Sequence, residues 1–210
     1  SIEKSDLGLF VALVAKVAKA DGKVDALEAQ LIGIMFDDIS EVFPQPQKTK
    51  DILKDIFNQH KENLNNTHEI ASILGQAIKR DKAKQQQFMG FLIQLAFVDG
   101  EVTSSEEEIL STIAQALEFD PQSYHKIFDQ FETMMNNMQP KNTIADAYKI
   151  LGVNENDDIS VIKKAYRKLV RQYHPDIIKS QGKGEAYMQE ATAKTQEINQ
   201  AYEMIKDSRK

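Results

Sequence analysis

The chain has 210 residues, 26 Lys+Arg against 32 Asp+Glu for a formal charge of −6, and 41% hydrophobic residues, an ordinary composition for one large or two small globular domains. It contains no Cys, which excludes disulfides, thiol nucleophiles, iron–sulfur clusters and thiolate zinc sites together. Five Pro and nine Gly, in a background rich in Ala, Leu, Ile, Lys, Gln and Glu, predict an all-α fold and exclude collagen-like or low-complexity chains.

The first apolar run, Leu7 to Ala15, ends at Lys16, well short of the ~20 residues a membrane helix needs. Phe10, Leu13, Val14 and Val17 recur at helical spacing, as do Leu27, Leu31 and Ile34, then Ile52, Ile56 and Phe57. Pro44 and Pro46 are expected to end a helix, and Thr67 to cap the next, which carries Ile70, Leu74 and Ile78. Asp120 and Pro121 read as N-cap and first residue of a helix bearing Ile127, Phe128, Phe131, Met134 and Met135. A polar stretch around Asn136, Gln139, Pro140 and Asn142 reads as a linker, dividing the chain into residues 1–138, a linker at 139–143, and residues 144–210. Charge divides at the same place: residues 1–142 carry 14 bases and 22 acids, a net −8, and residues 143–210 carry 12 and 10, a net +2.

Inside the acidic half, Asp21-Gly22-Lys23-Val24-Asp25 with Glu28 recurs 78 residues later as Asp99-Gly100-Glu101-Val102-Thr103 with Glu106. Two copies at that period indicate a duplicated helix pair, not a solenoid. Each copy has what a helix junction requires: a Gly free to turn left-handed, a Val anchor, an N-cap residue, and a Glu three positions on. Asp21, Asp25, Glu28, Asp99, Glu101 and Glu106 also offer hard oxygen ligands, but without the regular carboxylate spacing of a calcium loop, so no metal and no cofactor is expected. The repeated Asp-Gly-x-Val-x-x-x-Glu resembles the TerB-like tellurite-resistance domain over about residues 1–138, which implies a helical fold more than an activity.

In the C-terminal part, Gly152 is expected to stop a short helix and Asn156 to cap a second one, with Asp157 and Asp158 in its first turn. From Ile159 to Tyr173 there is no acid and there are five bases: Lys163, Lys164, Arg167, Lys168 and Arg171. At 100° per residue Ile162, Ala165, Tyr166, Leu169 and Tyr173 form one stripe and the bases cluster opposite. The helix is expected to end at His174-Pro175-Asp176, because a residue before Pro is driven out of the helical region. A long helix from about Glu185 then turns Ile198, Ala201, Tyr202 and Ile205 inward, giving an antiparallel pair joined at one end.

Leu-Gly-Val, Ile-Lys-Lys-Ala-Tyr-Arg-Lys-Leu, Tyr-His-Pro-Asp and Glu-Ile-Asn-Gln-Ala-Tyr-Glu-Met-Ile-Lys resemble, in order and spacing, the J domain of DnaJ-type co-chaperones. The resemblance implies that His174, Pro175 and Asp176 trigger ATP hydrolysis by a DnaK-type ATPase, and that the five bases dock on an acidic surface of that partner. Ile177 replaces a frequent basic residue, and Thr195 stands where many members have Phe. A TerB-like domain followed by a J domain resembles the membrane-anchored DnaJ-like co-chaperones of bacteria, in which a membrane helix precedes the helical domain. That implies a cytoplasmic module held at the inner membrane by a segment not included here. The chain starts at Ser1, as a trimmed fragment would.

Three other functions compete. An enzyme is disfavoured: His68-Glu69 has Ser72 where a zinc motif needs His, and no nucleophile elbow, phosphate loop or dinucleotide fingerprint occurs. Nucleic-acid binding by the basic helix is disfavoured by a module at only +2 beside a body at −8. The third is an interaction or stress-sensing scaffold dominated by the acidic half, with a client or a second copy of the chain as its partner.

Overall fold

The computed structural model describes residues 1–137, 143–173 and 185–210, the side chains of the last segment from residue 190 onward. Among these residues every long element is an α-helix: α1 (Asp6–Lys19), α2 (Ala26–Glu41), α3 (Pro46–His60), α4 (Thr67–Ala77), α5 (Lys82–Ala96), α6 (Ser104–Ala116), α7 (Pro121–Asn137), α8 (Ile144–Leu151), α9 (Ile159–Tyr173) and α10 (Glu185–Ser208). The all-α expectation holds.

Every residue of α1 from Phe10 to Ala18 is buried. A helix apolar on all sides has no face to give to water and must lie at the centre. It does so, packed against α3, α4, α5 and α6, with Phe10 stacked on Phe88 of α5 at 4.2 Å and edge-on to Phe91.

Lys16 is the exception within α1, and it is completely buried. Its ammonium donates to the carbonyl of Asn63, to Oδ1 of Asn66 at 2.7 Å and to the carbonyl of His60 at 3.4 Å, pinning the α3–α4 connection to the core. Burial draws its pKa down to about 8, so at neutral pH the group stays mainly charged, held by its three acceptors. Lys16→Met keeps the aliphatic stem but strands those acceptors, each at roughly 1–3 kcal/mol if unmet by water. Chemical denaturation is expected to show a loss of about 2–4 kcal/mol; a variant as stable as the parent would show that the charge is dispensable.

The two copies of the repeat become the α1–α2 and α5–α6 junctions. Gly22 and Gly100 take φ of 97° and 104°, values that L side chains rarely adopt. Asp25 accepts from the Glu28 N–H at 2.9 Å and Thr103 from the Glu106 N–H at 3.2 Å, and each Glu carboxylate reaches back to its cap residue's N–H. Both are complete capping boxes.

Three helix boundaries differ from expectation. α2 ends at Glu41, before either proline, and Pro46 opens α3 at its first position, where the missing N–H costs nothing. Asn66 occupies the cap position of α4, because the Thr67 hydroxyl is turned back onto the Leu64 carbonyl at 2.6 Å. Asp158, not Asn156, immediately precedes α9, and the Asp157 carboxylate closes the preceding turn on the Asn154 N–H at 2.8 Å.

Candidate functional site

α8 opens with a Thr143–Asp146 capping box and ends at Gly152 with φ of 65°. α9 and α10 pack antiparallel, Tyr166 stacked on Tyr202 at 4.3 Å, and Arg209 near the chain end closes the far side. The Arg209 guanidinium donates to the Tyr148 hydroxyl at 3.0 Å and to the carbonyls of Glu155 and Asp157, tying α10 to α8 and to the turn before α9. Ile162, Tyr166 and Val170 are buried, with Leu169 and Tyr173 packed at the margin. Val170 is an addition to the apolar stripe read from the sequence.

That packing fixes which way the bases point. Lys163, Lys164, Lys168 and Arg171 are exposed and Arg167 is half-buried. His174, Pro175 and Asp176 lie outside the described residues. By position in the chain they follow directly on Tyr173, the last residue of α9.

Two of the bases meet the N-terminal helices. Arg167 donates to Asp37 of α2 at 2.8 Å, Arg171 to Asp38 at 2.8 Å, and Arg171 also lies 3.5 Å from Asp37, which is paired with Lys50 of α3 as well. Nothing in the spacing of Asp37 and Asp38 announces this, because the contact joins positions 130 and 133 residues apart.

α10 makes the second contact. Thr192, Thr195, Gln196 and Asn199 are buried on it, a polar stripe on a face that periodicity alone assigns to apolar residues. The Gln196 amide donates to the Phe97 carbonyl at 3.1 Å and the Asn199 amide to the Val98 carbonyl at 3.3 Å. These carbonyls lie just past the end of α5, the Phe97 carbonyl accepting from the Gly100 N–H as well. Asn199 Oδ1 accepts from the Tyr166 hydroxyl at 2.8 Å, so one side chain joins α9, α10 and α5. Thr195 fits here because it is small, its hydroxyl bonded to the Ala191 carbonyl one turn earlier.

The six acids of the repeat are used locally. Asp21 accepts from the Lys23 N–H and Asp99 from the Glu101 N–H, while Glu28 and Glu106, both buried, serve the capping boxes. The two junctions lie close enough for their carboxyl groups to interact, Glu28 with Glu106 and Asp99 with Asp25. Burial, followed by the charge of Asp25, pushes Glu28 up to about 9, and burial likewise raises Glu106 and Asp99. Among the described residues no group of three or more such side chains is arranged to hold a metal ion. Nor, among them, is any helix long and apolar enough to cross a membrane.

Comparison with known proteins matches both halves. The DnaJ domain family matches residues 146–210, and the family of the tellurite resistance protein TerB matches residues 9–129. The co-chaperone protein DjlA of Coxiella burnetii is 32% identical over 202 residues, covering 92% of this chain and 73% of the relative. That of Shewanella oneidensis is 29% identical over 98% of this chain and 80% of its own length. The Escherichia coli co-chaperone protein DjlA is 35% identical over 143 residues, 59% of this chain. No solved structure matches. With a helical TerB domain, a J domain built on the α9–α10 pair, and relatives aligned along nearly its whole length, the chain belongs to the DjlA family of J-domain co-chaperones.

Proposed function

We propose that this co-chaperone stimulates ATP hydrolysis by a DnaK-type chaperone, with Lys163, Lys164, Arg167, Lys168 and Arg171 as its docking surface and His174, Pro175 and Asp176 as the trigger. The observation that carries this reading is α9 itself, which is acid-free, rigidly packed along its apolar stripe, and basic on the remaining face. A cluster of that kind accelerates encounter with an acidic surface and sets the orientation in which the partner is met. Polar groups delivered beside the docked helix then bias the partner between its ATP-bound and hydrolysing states, which requires only that they bind the two states unequally. The chain thus acts on its partner's active site and supplies no reacting group.

In this reading residues 144–210 do the work, residues 139–143 are the connection, and residues 1–138 position the module. The whole protein works at the cytoplasmic face of the bacterial inner membrane, as the family resemblance implies. The test is single-turnover hydrolysis of ATP preloaded on a purified DnaK-type chaperone. The 210-residue chain is expected to accelerate the reaction in a saturable manner. A rate that stays at the unstimulated value at every concentration of the chain would overturn the proposal.

A further inference from the structure

Resting on that reading, we infer that Asp37 and Asp38 of α2 form an intramolecular latch, holding two of the five docking bases so that the partner ATPase must displace α2 to engage them. The geometry is specific. Arg167 and Arg171 stand one turn apart on α9, and two consecutive acids of α2 reach them, each at 2.8 Å. Arginine's fork of donors suits this arrangement, and both guanidinium groups are thereby committed to carboxylates of the same chemistry that an acidic docking surface would offer.

The acids are also placed where α2 itself does not favour them. Asp37 and Asp38 lie toward the C-terminal end of α2, whose last turn contains Glu41 and no base. Carboxylates near that end oppose the helix dipole and are best compensated by cations from elsewhere. Here Lys50, Arg167 and Arg171 supply them.

The strength is right for a contact that must open. The side chains involved are 21–43% exposed, and ion pairs of that exposure contribute a factor of only about 1.5 to 5 each, reduced further by salt. The neighbouring contact of α10 with α5 is made by amides on carbonyls, groups that water can also satisfy once they separate. Meanwhile Lys163, Lys164 and Lys168 remain exposed. The lysines are thus available for the first encounter and the arginines only after displacement. A partner that binds only the released form meets an affinity lowered by the released fraction.

The test compares the concentration of chain giving half-maximal single-turnover stimulation for four proteins. Asp37→Asn/Asp38→Asn is expected to lower it about twofold to 25-fold, the combined factor of two such pairs. Asp38→Asn alone, which leaves Asp37 with Lys50, is expected to give part of that gain. Glu107→Gln/Glu108→Gln, the same charge change on α6, is expected to match the parent and controls for the overall loss of negative charge. Variants of α2 that match the parent, or stimulate at higher concentration, overturn the latch while leaving the co-chaperone reading intact. If none of the four stimulates, the co-chaperone reading falls and the latch with it. Thermal unfolding, expected to leave the α6 control at the parent's value and the α2 variants no more than about 2 kcal/mol below it, the energy equivalent of the same 25-fold factor, separates release from misfolding.

Discussion

His174→Gln is expected to reduce stimulated ATP hydrolysis to the unstimulated rate while leaving the melting temperature unchanged. Glutamine keeps the approximate reach and one donor and acceptor of the imidazole, but not its ring or its ability to carry a proton near neutrality. The five bases are untouched, so a binding assay should still register the encounter, with the loss confined to the rate constant at saturation. That split separates trigger from docking surface: neutralising bases is expected to raise the concentration needed, whereas altering the trigger is expected to lower the plateau. Equal plateaus for variant and parent would remove His174 from the mechanism.

The second large effect concerns pH. Glu28 is buried with Asp25 beside it and with the charges of Glu106 and Asp99 acting on it, and its pKa is pushed up to about 9 by burial first and by Asp25 second. A carboxyl whose pKa is higher folded than unfolded binds its proton more tightly in the native state. It therefore contributes stability that is fully present below the unfolded value, near 4.5, and is lost as pH rises through the folded value. Stability is expected to fall between about pH 5 and pH 9, by up to roughly 1.4 kcal/mol per pH unit for each such proton. Against a typical total of about 5–15 kcal/mol this is a large change. Lys16 works in the opposite sense only at the alkaline end, between about 8 and its unfolded value of 10.5.

Glu28→Gln tests the assignment directly. The amide carries a permanent donor where the carboxyl needs a proton, and its oxygen can still accept from the Asp25 N–H. The variant is expected to unfold at a higher temperature than the parent at pH 8 and at about the same temperature at pH 5. Parallel pH profiles for the two proteins would place the stored proton elsewhere.

The capping boxes at Asp25 and Thr103, the left-handed glycines, the Asp120-Pro121 start and the basic face of α9 each depend on residues within one or two helical turns, and all were legible in the sequence. So was the family, because the J-domain motifs flank one another at fixed spacing. At α4 the expected cap residue, Thr67, has its hydroxyl bonded to a different backbone group, the Leu64 carbonyl.

What tertiary structure alone decided is where polar groups find partners across the chain. Lys16 reads as the end of an apolar run until the α3–α4 connection brings three oxygens over it. Gln196 and Asn199 look like lapses in an inward face until the end of α5 presents carbonyls to them. The opening charge arithmetic, −8 against +2, describes two halves that attract; it could not show that Asp37 and Asp38 meet Arg167 and Arg171. Helix formation and capping follow from neighbours in sequence, whereas a buried polar group needs a geometry assembled from residues 33 to 133 positions apart.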